Sequence, residues 1–262
     1  MTTPSVRLRS VAMPTEHGGW GFTLEPIILG LLVAPSPAGW EIAAAALGVF
    51  LARRPVKLFS TDVIRGRWLP RSTTALAVAA VYSAVAIAGA AGAIVTTLGP
   101  FWWPLVVALP FAAFSLRADA HSRNRALAPQ LAGSIAMGST VAAIAIGAGW
   151  EWIPAFGLWL VLAARDVAAI VLARGMVRRF KDKSIDRARI YLVQLAAFGV
   201  VAAGAAVGML PWLGAVAIGL LGIVAIVSLT RPPVPAKVVG WTQMGVGLMV
   251  ALLTALGVWV GW

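Results

Sequence analysis

The sequence predicts an all-α protein that crosses a membrane several times and forms a single transmembrane domain over residues 1–262. Hydrophobic residues make up 60% of the chain and charged residues 11%, whereas a soluble domain carries about 25% charged residues. The mean hydropathy is +0.90. So few polar side chains cannot cover the surface of a water-soluble protein, and an intrinsically disordered chain would be poorer in apolar residues. The class that remains is a polytopic membrane protein.

Nine apolar segments are predicted as transmembrane helices, each of which needs about 20 apolar residues to cross the bilayer core. The apolar run of the second segment ends at Ala52. This segment reaches residue 58 if Arg53 and Arg54 extend their charged groups towards the interface. The nine segments cover residues 20–34, 40–58, 74–95, 101–116, 126–148, 152–172, 190–209, 212–229 and 238–260.

Tryptophans support the ends of these segments, because the indole ring prefers the headgroup level of a bilayer. Of the 12 tryptophans, only Trp159 lies in the middle of a predicted segment. The others, in chain order, are Trp20, Trp40, Trp68, Trp102, Trp103, Trp150, Trp152, Trp212, Trp241, Trp259 and Trp262.

Lysine and arginine set the predicted orientation. All of the 21 basic residues except Arg165 lie in the N-terminal tail, in the last six residues of the second segment, or in the loops after the second, fourth, sixth and eighth segments. Because such loops are retained in the cytoplasm during insertion, we expect the N-terminus inside and the C-terminus outside. A cleaved signal peptide with Arg7 and Arg9 as its basic region is the alternative, but Glu25 interrupts its apolar stretch.

The charge and the residue types exclude several other classes. The net charge of +12 is interpreted as basic loops that fix topology and contact the lipid bilayer, and nucleic acid is not predicted as a partner. The chain contains no cysteine, which excludes disulfides and thiol catalysis. Its two histidines, His17 and His121, fall in different loops. We therefore predict neither a metal site nor a cofactor.

Three charged residues fall in the interior of predicted segments, away from the segment ends, where each costs about 2.5–3.5 kcal/mol at mid-helix. Glu25 lies in the first segment, and Arg165 and Asp166 are adjacent in the sixth. The helical rise places all three at a similar depth on the cytoplasmic side. Because adjacent helical side chains diverge, we expect Arg165 and Asp166 to find partners on other helices. The residues form either a polar cavity open to the cytoplasm or a structural ion pair, for example between Arg165 and Glu25.

The tract from Met13 to Pro26, M-P-T-E-H-G-G-W-G-F-T-L-E-P, precedes and opens the first segment. Within it, His17 is the natural proton carrier near neutral pH, and two glycines allow close approach of a ligand or a helix. The tract resembles the YwiC-like family of bacterial membrane proteins, in which an E-H-G-x-W stretch leads into the first span. The resemblance implies a location in the bacterial plasma membrane and no assigned activity.

Nine spans with long cytoplasmic loops after the second and sixth are similar to the plan of UbiA-type membrane prenyltransferases. Those enzymes hold an isoprenoid diphosphate through Mg²⁺ on two aspartate motifs. In this chain Asp62 matches the first motif, but Arg65 stands where its second acid belongs, and Asp166 is the acid left of the second motif. The resemblance implies a UbiA-like helical bundle without the Mg²⁺-binding motifs.

Together these observations predict an integral membrane protein whose cytoplasm-facing cavity binds an amphipathic anion, such as an isoprenoid, a quinone precursor or a porphyrin. A transferase-like reaction without Mg²⁺ is one form of this hypothesis. A non-catalytic assembly factor and a small-molecule transporter are the alternatives. Guanidinium groups suit the mouth of such a cavity because they bind phosphate or carboxylate with two hydrogen bonds. The predicted catalytic residues are His17, Glu25 and Asp166, and the predicted ligand-binding residues are Glu16, Arg54, Lys57, Asp62, Arg65, Arg117 and Arg165.

Overall fold

The computed structural model describes residues 8–13, 17–120 and 126–261, and within these ranges every regular element is a helix. This confirms the all-α prediction for the described part of the chain. A short helix, α1, is followed by nine longer ones. The helices are α1 Leu8–Ala12, α2 His17–Val33, α3 Pro37–Ile64, α4 Pro70–Thr96, α5 Trp102–Ala120, α6 Leu127–Gly147, α7 Trp152–Phe180, α8 Arg187–Ala206, α9 Trp212–Thr230 and α10 Ala236–Trp259.

Side chains that cap helices explain two of the helix starts. Ser36 precedes α3 and accepts a hydrogen bond from the Gly39 N–H at 3.0 Å, and Pro37 takes the first helical position. Asp186 precedes α8 and accepts from the Arg189 N–H at 2.9 Å. Most consecutive helices pack against each other, namely α2 with α3, α3 with α4, and each neighbouring pair from α5 to α10.

Six helices in the described part of the chain are long and apolar enough to cross a membrane, namely α4 and α6 to α10. The apolar part of α2, Gly19–Val33, is shorter. The protein is therefore a multi-pass helical membrane protein, and crossings by α2, α3 and α5 remain predictions. The extension of the second segment does occur as helix, because α3 continues without a break through Arg53 and Arg54 to Ile64.

Helix α7 occupies the centre of the bundle and contacts α2, α6, α8, α9 and α10. Four helices form a closed ring, since α2 contacts α6, α6 contacts α7, α7 contacts α10, and α10 contacts α2. Helix α3 packs against α6 and α2 from outside the ring, and α4 packs along α3. The apolar core between α2, α6, α7 and α10 includes Leu29, Val141, Leu158, Leu162 and Ala251, all of them buried. The ring is the part of the fold that positions the candidate site.

Candidate functional site

The three ionisable residues within the apolar segments lie together in the interior of the ring. Arg165 Nη2 on α7 lies 2.7 Å from Glu25 Oε1 on α2, and Arg165 Nη1 lies 3.1 Å from Asp166 Oδ1. The exposed fractions are 2% for Arg165, 4% for Glu25 and 3% for Asp166. We call these three residues the buried ion cluster. It satisfies the rule that a charge taken out of water must be paired.

The expected partners on other helices are present, since Arg165 pairs with Glu25 on α2 and Asp166 has a side-chain hydrogen bond with Ser134 on α6. The sequence did not predict that the two adjacent residues of α7 also form an ion pair and a hydrogen bond with each other. The long, flexible arginine side chain explains this contact, since it bends back until its guanidinium group reaches the neighbouring carboxylate.

Helix α10 completes the surroundings of Arg165. Arg165 Nη2 donates a hydrogen bond to the main-chain oxygen of Gln243 at 2.6 Å, and its guanidinium group lies 5.5 Å from the centre of the Phe22 ring on α2. A Cβ atom at Gly247 would collide with Glu25 Oε1 and Arg165 Nη2. Glycine at this position therefore lets α10 approach closely enough to hold the cluster between three helices.

A cavity of about 510 Å³ extends along α7 and reaches Arg165. All four helices of the ring contribute to its wall, so we call it the ring cavity. The contacts of Arg165 with Glu25 and Gln243 draw α2, α7 and α10 together at one end. The lining residues are Gly21, Phe22, Gln130, Arg165, Ala169, Ile170, Ala173, Arg174, Val177, Arg178, Lys181, Ala236, Val239, Gly240, Gln243 and Met244.

The ring cavity is basic at its mouth and apolar along its wall. Arg174, Arg178 and Lys181 follow one another along α7 towards its C-terminal end. Arg174 donates to Gln130 Oε1 at 3.2 Å, and Arg178 Nε donates to the main-chain oxygen of Ser184 at 3.3 Å. No aspartate or glutamate is among the described residues that line the cavity. Its chemistry therefore favours a ligand with an anionic end.

The ligand-binding residues predicted around the loop after the second segment lie away from the ring cavity. Lys57 Nζ and Arg53 Nη2 on α3 bond to the carboxylate of Asp119 on α5, at 2.6 and 3.1 Å. Asp62 at the end of α3 pairs with Arg71 on α4 at 2.6 Å and accepts from Ser72 Oγ at 3.0 Å. These ion pairs tie α3 to α4 and α5, and none of their members lines the ring cavity.

Both acids in these ties are held in their charged form. The hydrogen bond from Arg71 lowers the pKa of the Asp62 carboxyl, with further support from Ser72 and the charge of Arg65. Partial burial by itself raises the pKa of Asp119, but the hydrogen bonds from Lys57 and Arg53 outweigh it, and the pKa lies below its ordinary value. Because Asp62 and Asp119 are ionised and already paired, their ion pairs are consistent with a structural role that joins α3 to α4 and α5.

Of the remaining predicted residues, the three whose side chains the structure describes, Arg54, Arg65 and Arg117, are not among those that line the ring cavity. Arg65 is the exposed C-cap of α3, Arg54 lies on α3, and Arg117 lies in the last turn of α5. His17 is the first residue of α2, and the described part of the structure does not include its side chain. Glu16 lies outside the described residues.

Several lining residues are not among the predicted site residues. Arg174, Arg178 and Lys181 belong to the basic residues that set the predicted orientation, and Gln130 and Gln243 are uncharged. Uncharged amides inside apolar segments carry a desolvation cost as well. A search for every hydrogen-bonding side chain within the segments, charged or not, would have found Gln243 in the ninth segment and Gln130 in the fifth.

Helices long and apolar enough for several crossings, around a buried ion cluster, define a multi-pass integral membrane protein. The chain belongs to the YwiC-like family, since the family model described as "YwiC-like protein" matches residues 13–145. This confirms the resemblance seen in the tract that opens α2. The match includes Glu25 but ends before α7, which carries Arg165 and the basic residues of the ring cavity. No curated protein and no solved structure matches the chain.

Proposed function

We propose that this protein binds an amphipathic anion in the ring cavity, which opens to the cytoplasm of a bacterial cell. The observation that carries the proposal is the combination of three basic residues, Arg174, Arg178 and Lys181, with a wall made mostly of apolar side chains. A carboxylate or phosphate headgroup finds cations at the mouth, and guanidinium groups bind such groups strongly. An isoprenoid or other apolar tail finds the apolar wall.

Within this function the buried ion cluster forms the floor of the site, and His17 at the start of α2 is a proton carrier near the cytoplasmic end. The proposal includes nine crossings by α2 to α10 in a UbiA-like plan, with α1 before the first crossing. The assignment of Lys57, Asp62, Arg65 and Arg117 to the ligand is replaced in this proposal by Arg178 and Lys181, which line the cavity.

The proposed orientation has its own test. The chain contains no cysteine, so single cysteines can be introduced at exposed positions and labelled with a membrane-impermeant maleimide in intact cells. We expect Glu151→Cys and Val207→Cys to react from outside. Lys183→Cys and Pro233→Cys should react only after the membrane is opened. A cysteine that reacts from the opposite side would contradict the nine-crossing arrangement.

Ligand binding is tested on the protein purified in a mild detergent, by mass spectrometry of the lipids and pigments that copurify. We expect one anionic amphiphile to be enriched with the wild-type protein and lost from the Arg178→Gln/Lys181→Gln double variant, because the headgroup then meets no charge at the mouth. Lys183→Gln is the matched control, since Lys183 is exposed and does not line the cavity.

Equal amounts of every amphiphile in all three preparations would contradict the proposal, because lipids that merely surround a membrane protein do not depend on Arg178 and Lys181. The melting temperature of each variant is measured alongside. An unchanged melting temperature in the double variant assigns the loss of the ligand to the site and not to unfolding.

Transport is the second candidate function, and two carboxyl groups inside the apolar segments, Glu25 and Asp166, favour it. A transporter requires a path through the rest of the bundle. Beyond the ion cluster lies the apolar core with Leu29, Leu158 and Leu162, and such a path would have to pass it. Uptake of the copurified compound by proteoliposomes would support transport, whereas binding without uptake supports the proposed function.

A further inference from the structure

The inner end of the ring cavity contains a buried amide with no hydrogen-bond partner in the described part of the chain. Both polar atoms of the Gln243 side chain, Nε2 and Oε1, are buried without a hydrogen bond to any described residue, and Gln243 lines the cavity. Its main-chain oxygen is already used by Arg165. A buried polar group without a partner is energetically unfavourable, so this side chain is suited to a ligand that supplies both a donor and an acceptor.

Arg165 adds a second unpaired donor at the same end. Its Nε is buried and has no hydrogen bond to a described residue, while Nη1 and Nη2 are engaged by Asp166, Glu25 and the Gln243 main-chain oxygen. Arg165 is 2% exposed and also lines the cavity. Two residues that line the cavity, on α7 and α10, thus carry hydrogen-bonding atoms that no described residue uses.

The charges at this end disfavour a second anion there. The positive charge of Arg165 is shared by two carboxylates, Glu25 and Asp166, which lie against it. An anionic group beside the cluster would meet two like charges in a site of low dielectric constant. An uncharged hydroxyl or carbonyl group avoids this repulsion and still satisfies the amide of Gln243.

The distance to the mouth determines the shape of the ligand. Arg178 lies 13 residues after Arg165 in α7, a separation of about 20 Å along the helix. Between them the residues of α7 that line the wall are apolar except for Arg174, and they include Ile170, Ala173 and Val177. A ligand that reaches both ends is elongated, with an apolar middle about as long as a long acyl or prenyl chain.

We propose that the inner end of the ring cavity is a subsite for an uncharged hydrogen-bonding group, formed by the Gln243 side chain and the Arg165 Nε. The ligand is then polar at both ends, with an anionic headgroup at Arg178 and Lys181 and a hydroxyl or carbonyl group at Gln243. This inference rests on the proposed function and adds a second recognition point to it.

The test compares palmitic acid with its ω-hydroxy derivative as probes for the full-length protein in detergent, using isothermal titration calorimetry. In the wild-type protein we expect the ω-hydroxy acid to bind about tenfold more tightly, which corresponds to about 1.4 kcal/mol. Gln243→Met removes both polar atoms at similar length and should abolish this difference. Thr242→Val is the control, because Thr242 is exposed and does not line the cavity.

Equal affinity of the two acids in the wild-type protein would overturn the subsite while leaving the proposed function in place. That comparison needs no variant, so it stands even if Gln243→Met folds poorly. Persistence of the tenfold difference in folded Gln243→Met would also overturn the assignment to Gln243. If neither acid binds and Arg178→Gln/Lys181→Gln leaves the copurified compounds unchanged, the proposed function fails, and the subsite fails with it.

Discussion

Replacing Arg165 by methionine is expected to lower the free energy of unfolding by about 3–5 kcal/mol, the cost of leaving a buried charge without its partner. Methionine keeps much of the apolar volume of the arginine side chain, so the loss reports the charge and its hydrogen bonds. Glu25 and Asp166 then face each other's charge without a cation between them. The measurement is denaturant or thermal unfolding in a fixed detergent.

Arg187→Met is the matched control, since Arg187 is exposed at the start of α8 and an exposed charge contributes about 0–1 kcal/mol. Adding Glu25→Gln and Asp166→Asn to Arg165→Met should recover part of the loss, because no net charge then remains buried. If Arg165→Met costs no more than Arg187→Met, the cluster does not stabilise the bundle.

The same residues separate the two interpretations of the cluster. If the cluster only locks α2 to α7, Asp166→Asn lowers stability and leaves the copurified ligand of the surviving folded protein unchanged. If it is the floor of a binding site, Asp166→Asn also changes that ligand, since Asp166 holds the guanidinium of Arg165, which lines the cavity.

Replacing Gly89 by alanine is expected to destabilise the pair formed by α3 and α4 by about 1–3 kcal/mol, the usual cost of forcing extra atoms into a packed contact. A Cβ at Gly89 would lie 2.6 Å from the Glu41 main-chain oxygen and 2.8 Å from the Ala45 nitrogen. Both are backbone atoms, which cannot rotate away as a side chain would. The helices must therefore move apart, and small residues at such contacts are what allows close packing in membranes.

Gly222→Ala is the matched control for Gly89→Ala. Gly222 lies inside α9, and a Cβ there meets nothing within 4 Å. Alanine restricts the unfolded chain and favours the helix, so this variant should be neutral or more stable by up to about 0.5–1 kcal/mol. The prediction is a difference in sign between two Gly→Ala changes in helix interiors, measured by the same unfolding assay. Equal effects would contradict the close contact between α3 and α4.

The sequence by itself determined the class of the protein, the positions of its long helices and the family. These properties depend on local requirements, namely the number of apolar residues in a row, the placement of basic loops and one short tract. The similar depth of Glu25, Arg165 and Asp166 could also be predicted from the sequence, because the helical rise converts residue number into distance along the helix axis. Their pairing followed from the cost of leaving any of them unpaired.

Only the tertiary structure decided which polar residues share a cavity. Lys57 and Asp62 were as plausible as Arg178 and Lys181 at the mouth, yet the former are paired with Asp119 and Arg71 outside the ring. The choice depends on which helices are neighbours and on how each is rotated about its axis. The neighbours of a helix and its rotation are set by many small packing contacts at once, such as the close contact between α10 at Gly247 and Glu25. No single stretch of sequence contains that information, because each contact joins residues from distant parts of the chain.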